Sequence, residues 1–300
     1  MKKIFKVDKD FNNSRFDKWF KSEVLDIPHS LIEKLIRKKN IKINHKKTKT
    51  SYRVKLNDIV EIHGLDGFKK NIKKKRSIYK ASATDKKKYD SFVIDNNENF
   101  LVINKPAGIP IQPGTKSHKN ILDLLKGTKY FFDRSPFIVH RLDKETSGVL
   151  IIAKNREYAQ LLTSLFRIRK IHKTYHAIVN GKVPFNRKTL IDNLIYYENN
   201  KKITQKAISH IKLIKTKNDF SFLELNPISG RKHQLRKQLL NIGFSIVGDR
   251  KYSIEKTDKK ENLMLHAKKI KFMIKNIKYN FEADYPNEFL NFLKTKFKSH

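Results

Sequence analysis

The run His140-Arg141-Leu142-Asp143-Lys144-Glu145-Thr146-Ser147-Gly148 sets one carboxylate, Asp143, between an arginine and a small-residue turn. Apolar stretches at 137–139 and 149–153 flank it and read as buried strands. A charged loop carried by two core strands is where rigid scaffolds commonly place chemistry. An aspartate there can attack a substrate covalently or assist the cleavage of a bond. Taken alone, the segment would serve equally as a polar turn with a surface ion pair. Further segments carry reactive residue types. Lys173-Thr174-Tyr175 opens an alternating strand, and Tyr175 offers a ring for stacking and a hydroxyl for proton chemistry. Gly230-Arg231-Lys232-His233-Gln234-Leu235-Arg236 begins a helix over 231–242, and Val247-Gly248-Asp249-Arg250-Lys251-Tyr252 follows it. Asn104-Lys105-Pro106-Ala107-Gly108 ends a strand, and Leu265-His266-Ala267 lies on a late one.

The elements that must position these residues belong to a chain of 300 residues, room for two domains. Lys and Arg number 67 against 29 Asp and Glu, a net charge of +38. That excess points to a polyanionic partner, nucleic acid above all. An AT-rich coding sequence would raise Lys, Asn and Ile together without any function, but the acidic residues have not risen to match. There are no cysteines, which removes disulfides, thiolate catalysis and cysteine-bound zinc. The eleven histidines show no paired-ligand spacing, so no metal is expected. No glycine-rich phosphate loop occurs, so no nucleotide cofactor is expected either. No apolar run approaches the ~18 residues of a membrane span, and the first seven residues carry no secretory signal. The expectation is a monomeric cytoplasmic protein that binds no membrane.

Three segments are expected along the chain. Residues 1–65 form a small RNA-binding domain. One helix is marked by Phe16, Trp19, Phe20 and Val24. A second starts at Ser30 with Glu33 as its capping-box partner. Strands follow at 41–44 and 52–62, with Asn57-Asp58 as a turn. Arg37, Lys38 and Lys39, at the end of the second helix, are the candidate phosphate contacts. Residues 66–89 are a basic linker, and 90–300 a catalytic domain. The latter shows strands at 91–95, 100–104, 148–153, 174–180, 206–214, 220–225, 263–274 and 276–283, with helices at 156–169, 231–242 and 287–297. So many consecutive strands favour an α+β fold with a mostly antiparallel mixed sheet.

Residues 13–62 resemble the S4-type RNA-binding domain. The shared pattern is Arg15-x-Asp17, Pro28-x-Ser30-x-Ile32, Ile36-Arg37, Ile43-Asn44 and Asp58-x-Val60. Residues 90–285 resemble the catalytic domain of the RNA pseudouridine synthases, in the branch that includes the large-subunit ribosomal RNA enzymes. The HRLD-x-x-TSG run is the most specific element, and the GR-x-HQ-L-R run is its partner. Pro28-His29-Ser30 and the 47–56 segment favour the C type of that branch over the D type. Lys232 stands where the family motif usually has Thr.

The resemblance implies that specific uridines of 23S-type ribosomal RNA are isomerised to pseudouridine without a cofactor. It makes Asp143 the catalytic carboxylate, Tyr175 the residue against the base, and Arg231 the cation that pairs with Asp143. Arg141 is suited to fill the helix vacated by a flipped nucleotide, and Leu235 to pack against the base. His140, His233 and His266 are expected to support the pocket by hydrogen bonding. Two mechanisms stay open, nucleophilic addition and glycal-type elimination. So do other functions: a non-catalytic S4-type ribosome assembly factor, the same activity on another RNA such as tRNA, or a hydrolase with Asp143 and Glu145 as paired carboxylates.

Overall fold

A computed structural model describes residues 2–8, 11–65, 82, 89–112, 119–126, 128–132, 135–198, 201–253 and 262–297. The chain divides into two compact units, Met1–Ser77 and Ile78–His300. Apart from Ser82 and Tyr89, the basic stretch at 66–89 lies outside the described residues.

The first unit contains β1 (Lys2–Lys6), β2 (Ser14–Arg15), α1 (Phe16–Glu23), α2 (His29–Arg37), β3 (Ile41–Ile43), β4 (Lys46–Lys47), β5 (Arg53–Val54) and β6 (Ile59–His63). The order β1-β6-β3-β4 makes one sheet, and β2 pairs with β5. Phe16, Trp19 and Phe20 recur at helical spacing and are buried against Ile32, Leu35, Ile41 and Ile62. Arg15 grips Asp17 with two hydrogen bonds of 3.1 and 2.8 Å, and His29 approaches the same carboxylate at 3.3 Å, tying α1 to α2. The capping box expected at Ser30 is absent. The helix begins at His29 after Pro28, whose fixed φ already suits a helix entry, and Glu33 pairs with His29 instead. Asn44 donates to Asp58 at 2.8 Å, so two of the S4-like sequence elements meet directly.

The second unit contains β7 (Val93–Asn96), β8 (Phe100–Lys105), α3 (Ile121–Leu125), β9 (Phe137–Ile138), β10 (Ser147–Ala153), α4 (Arg156–Arg167), β11 (His172–Asn180), β12 (Arg187–Glu198), β13 (Lys201–Lys217), β14 (Phe220–Pro227), α5 (Gln234–Asn241), β15 (Leu265–Ile274), β16 (Ile277–Glu282) and α6 (Asn287–Phe297). One large sheet runs β12-β13-β14-β11-β15-β10-β8-β7, with β16 on β15 and β9 on β10. The fold is α+β, as the strand-rich sequence implies. The buried apolar residues of β11 and β14 form a core with Leu235, Leu239 and Phe289. Strand β12 escapes sequence reading because Asp192 interrupts its inward face. That carboxylate is satisfied there by the Gln238 amide at 2.8 Å.

Among the described residues, the sheet's one parallel pairing joins β10 to β15 through Ser147↔His266 and Gly148↔Ala267. All its other pairings are antiparallel. Gly148 has φ +111°, and a Cβ on it would lie 2.2 Å from the Ala267 carbonyl oxygen. The glycine of the TSG run is therefore required by backbone approach. This pairing brings the loop carrying Asp143 beside β15 and hence beside β11.

Candidate active site

The loop before β10 is held from both sides. His140 is half-buried and accepts a hydrogen bond at Nε2 from the Ile151 amide, 2.9 Å away, while its ring stacks on Phe166 at 4.6 Å. Desolvation of the ring, with the charge of Lys173 adding, pushes its pKa down to about 3, so it is a neutral structural group. Leu142 is buried, Arg141 is exposed and Asp143 faces a pocket. Lys105, wholly buried, donates to the carbonyls of Pro106, Ile109 and Lys144 at 2.7, 2.9 and 3.1 Å. The Gly108 amide donates to the Lys144 carbonyl as well, at 2.9 Å. Burial lowers the Lys105 pKa to about 7, against the opposing pull of Glu145 and Asp143.

On β15, His266 meets Ser147 at 2.9 Å through Nδ1 and the Ala283 carbonyl at 3.3 Å through Nε2. A carbonyl can only accept, so Nε2 carries the proton and the Ser147 hydroxyl donates to Nδ1. Burial holds this ring neutral as well, with its pKa lowered to about 4.

The pocket, about 180 Å³, is lined by Arg141, Asp143, Tyr175, Arg231, Leu235 and Arg236 among others. Typical drug-sized ligand sites run to ~300–1,000 Å³, so this one suits a single ring. The structure thus gathers Asp143, Tyr175, Arg231, Arg141 and Leu235 around one cavity. Arg37, Lys38 and Lys39 belong to the first unit, exposed at and just after the end of α2.

The charge pairing differs from expectation. The carboxylate of Asp143 is approached by Arg236 Nη1 at 3.6 Å and by His233 Nε2 at 3.6 Å. Arg231 is not its partner: the Arg231 Nε donates to the Lys206 carbonyl at 3.2 Å. The cause is local. The sequence pattern starts this helix at 231, but it begins at Gln234, because His233 takes a left-handed conformation with φ 53°. Arg231 therefore lies ahead of the helix, and Arg236 occupies the first turn.

Arg236 is itself fixed. Its Nε and Nη2 donate to the two oxygens of Asp249, each at 2.7 Å, in a buried fork. Asp249 also accepts from the amides of Lys251 and Tyr252 at 3.0 and 2.9 Å. Burial would raise the Asp249 pKa, but the Arg236 and amide hydrogen bonds outweigh it and hold it below the usual value. The Tyr252 hydroxyl lies 2.9 Å from His233 Nδ1, and the Arg236 guanidinium sits over the Tyr252 ring at 5.0 Å. Asp143, Arg236, Asp249, Tyr252 and His233 so close a ring of contacts. Burial pushes His233 down while Asp143 pulls it up, with a net fall. The two approaches to Asp143 are longer than hydrogen bonds, and such contacts commonly tighten when substrate binds.

Tyr175 lines the pocket from β11, just after a register shift against β15. Burial, reinforced by the charge of Asp143, pushes its hydroxyl above the ordinary tyrosine value. The hydroxyl stays neutral, fit to donate but not to act as a resting base. Tyr175→Phe keeps the ring, so RNA affinity should stay within about twofold of wild type, since stacking supplies the ~1–3 kcal/mol per base. A turnover loss of roughly 10²–10⁴-fold in the same variant would assign the hydroxyl a proton transfer. Equilibrium binding and single-turnover rates on one RNA measure both. Leu235 serves core and pocket together, 7% exposed and packed with Leu239 and Tyr175. Glu145 pairs with Lys144 at 3.7 Å, and among the described residues no ion pair joins it to Arg141. Lys232 is exposed at the rim, and its carbonyl accepts the Tyr196 hydroxyl at 3.3 Å.

Residues 99–241 match the family described as RNA pseudouridylate synthase. The chain is 31% identical over 299 residues to the ribosomal large subunit pseudouridine synthase C of Buchnera aphidicola subsp. Baizongia pistaciae, covering 95% of this chain and 93% of that protein. It is 35% identical over 276 residues to the protein of the same name from Rickettsia felis, covering 86% and 88%. Its fold is similar to the solved human RNA pseudouridylate synthase domain containing 4, with a TM-score of 0.60 at 24% identity over 69% of this chain and 94% of that one.

Proposed function

Since the chain belongs to the RNA pseudouridine synthase family and is an isomerase of that kind, we propose that it converts specific uridines of large-subunit ribosomal RNA to pseudouridine through Asp143. The names of the relatives support the RNA target. The observation that carries the role of Asp143 is its place in a pocket shared with Tyr175, faced by Arg236 and His233.

The reaction breaks the bond between uracil N1 and ribose C1′, turns the base, and joins C5 to C1′. C5 loses a proton and N1 gains one, so the sum of atoms is unchanged. Reaching the base requires it to leave the helix, at a cost of a few kcal/mol. Stacking on Tyr175 offsets part of that cost. Asp143 either attacks the nucleotide or assists departure of the base, and Arg236, fixed by Asp249, supplies positive charge beside it. Arg141, exposed at the pocket, is placed to occupy the vacated helix. The first unit adds affinity through Arg37, Lys38 and Lys39, and the protein acts in the cytoplasm, where its substrate is.

The test uses the full chain and large-subunit ribosomal RNA tritiated at uridine C5. The expected result is tritium release with pseudouridine at a few defined positions. Release from transfer RNA but not ribosomal RNA would overturn the target. An RNA-binding assembly factor would release no tritium, and a hydrolase would release free uracil.

A further inference from the structure

Gln234 lies in the wall of the catalytic pocket, 4% exposed, yet its side-chain amide is engaged entirely by the protein. Nε2 donates to the Ile208 carbonyl at 3.0 Å and to the Ser209 hydroxyl at 2.9 Å. Oε1 accepts from the Ser229 hydroxyl at 2.8 Å and from the Arg231 amide at 3.0 Å. Both donors and both acceptor lone pairs are thus matched, and none is left for a substrate. The reverse orientation would set the NH2 group against the Arg231 N–H and the oxygen against the Ile208 carbonyl, so the partners fix the assignment.

Those partners join two elements. Ile208 and Ser209 belong to β13, while Ser229 and Arg231 precede α5. The main-chain amide of Gln234 also donates to the Arg231 carbonyl, at 3.1 Å. One residue so binds both backbone groups of Arg231 and closes the turn 231–234. Inside that turn His233 is held at φ 53°, a left-handed backbone that a residue with a Cβ keeps only where its surroundings over-determine it. The turn aims the two groups that face Asp143. His233 Nε2 comes from within it and Arg236 Nη1 from just beyond, each at 3.6 Å. Tyr252 and Asp249 steady these two side chains by their tips. Gln234 acts instead on the backbone that carries them, tying it to the sheet.

We propose that Gln234 is the positioning residue of this site: its amide, bonded to β13 and to the turn before α5, holds His233 and Arg236 within reach of Asp143. It takes no part in making or breaking bonds. This rests on the reading of Asp143 as the reacting carboxylate.

The test uses the full-length chain with Gln234→Met, which keeps much of the volume and removes every bond of the amide. Gln238→Leu is the control. Gln238 is 1% exposed, donates to Asp192 at 2.8 Å and accepts from Ser209 at 2.7 Å, but does not line the pocket. Melting temperatures should fall in both. In C5-tritium release on one ribosomal RNA fragment, Gln234→Met should lose roughly 10²-fold in kcat, the scale of a small misplacement, with Kd within about twofold of wild type. Gln238→Leu should keep kcat within about threefold. In an Arg236→Lys background, Gln234→Met should cost less than about tenfold more, because residues that act through one another do not add. The imidazole NMR signals of His233, identified by their loss in His233→Gln, should shift in Gln234→Met and stay in place in Gln238→Leu. Equal losses of kcat in Gln234→Met and Gln238→Leu overturn the proposal, since the effect would then be that of any buried amide. So do losses that multiply in full with Arg236→Lys, or His233 signals unmoved in Gln234→Met. If Gln234→Met does not fold, Ser209→Ala decides: it removes one acceptor of the Gln234 amide, so kcat should fall at unchanged Kd, and no fall overturns the proposal. Should the wild type release no tritium, or Asp143→Asn release it normally, the reading of Asp143 fails, and the His233 signals still decide whether Gln234 sets the turn.

Discussion

Asp143→Asn should abolish isomerisation while leaving RNA affinity close to that of the wild type. The amide keeps the volume of the carboxylate but has no charge and little nucleophilicity. Removing a nucleophile or its activating partner from an enzyme commonly costs several orders of magnitude, so turnover should fall by at least roughly 10³-fold. Folding should be preserved. The buried fork between Arg236 and Asp249, and the Lys105 hydrogen bonds beneath the loop, do not use the Asp143 side chain. Affinity should persist because most contacts in such complexes go to the RNA backbone. C5-tritium release and filter binding on the same RNA decide the matter. Turnover above about a tenth of wild type would remove Asp143 from the chemistry.

Arg236→Lys should be nearly as damaging to turnover, although it conserves charge. A guanidinium can bond both oxygens of Asp249 and still present Nη1 to Asp143, and an ammonium has no such geometry. A fall on the order of 10²–10³-fold in turnover is expected, similar to removal of one preorganised electrostatic interaction. Stability should fall too, by about 2–4 kcal/mol, because Asp249 is 1% exposed and is deprived of half of its fork. Rates are therefore compared well below the melting temperature. Arg231→Lys is the companion measurement. Its side chain donates to a backbone carbonyl at a half-exposed position, so activity should change by less than about threefold. The reverse ranking, with Arg236→Lys active and Arg231→Lys inactive, would return the pairing role to Arg231.

The contrast between these two arginines shows where sequence reading reaches its limit. Alternation makes the antiparallel sheet legible, and the two motif runs with the Lys173-Thr174-Tyr175 strand lead to Asp143 and Tyr175, which the fold brings to one cavity. The same runs misplace the partner cation by five residues. Periodicity fixes which way a helix faces, but not the residue at which it starts, and the left-handed turn at His233 decides that. Asp249 and Tyr252 are likewise visible in the sequence only as part of a motif. Their use as an anchor for Arg236 depends on contacts across 13 residues and more. Gly248 is the one available hint, since φ 75° and an approach of 2.1 Å to the Asn262 carbonyl demand a residue without Cβ there. In the first unit, β1 escapes notice because Phe5 alone of Lys2–Lys6 is even partly buried, which leaves no alternation to read. Its strand form comes from pairing with β6.

The parallel contact between β10 and β15 also makes the Asp143 loop depend on a segment far along the chain. Ser147 and His266 are 119 residues apart in the chain, and Asn104 bonds to the Asp284 carbonyl across 180. No fragment released from the ribosome before Ala283 has emerged can seat His266 against Ser147 and complete the bed of the Asp143 loop. The bed of the Asp143 loop is thus a long-range product of folding, and activity is expected only from chains whose sheet is closed through Ala283.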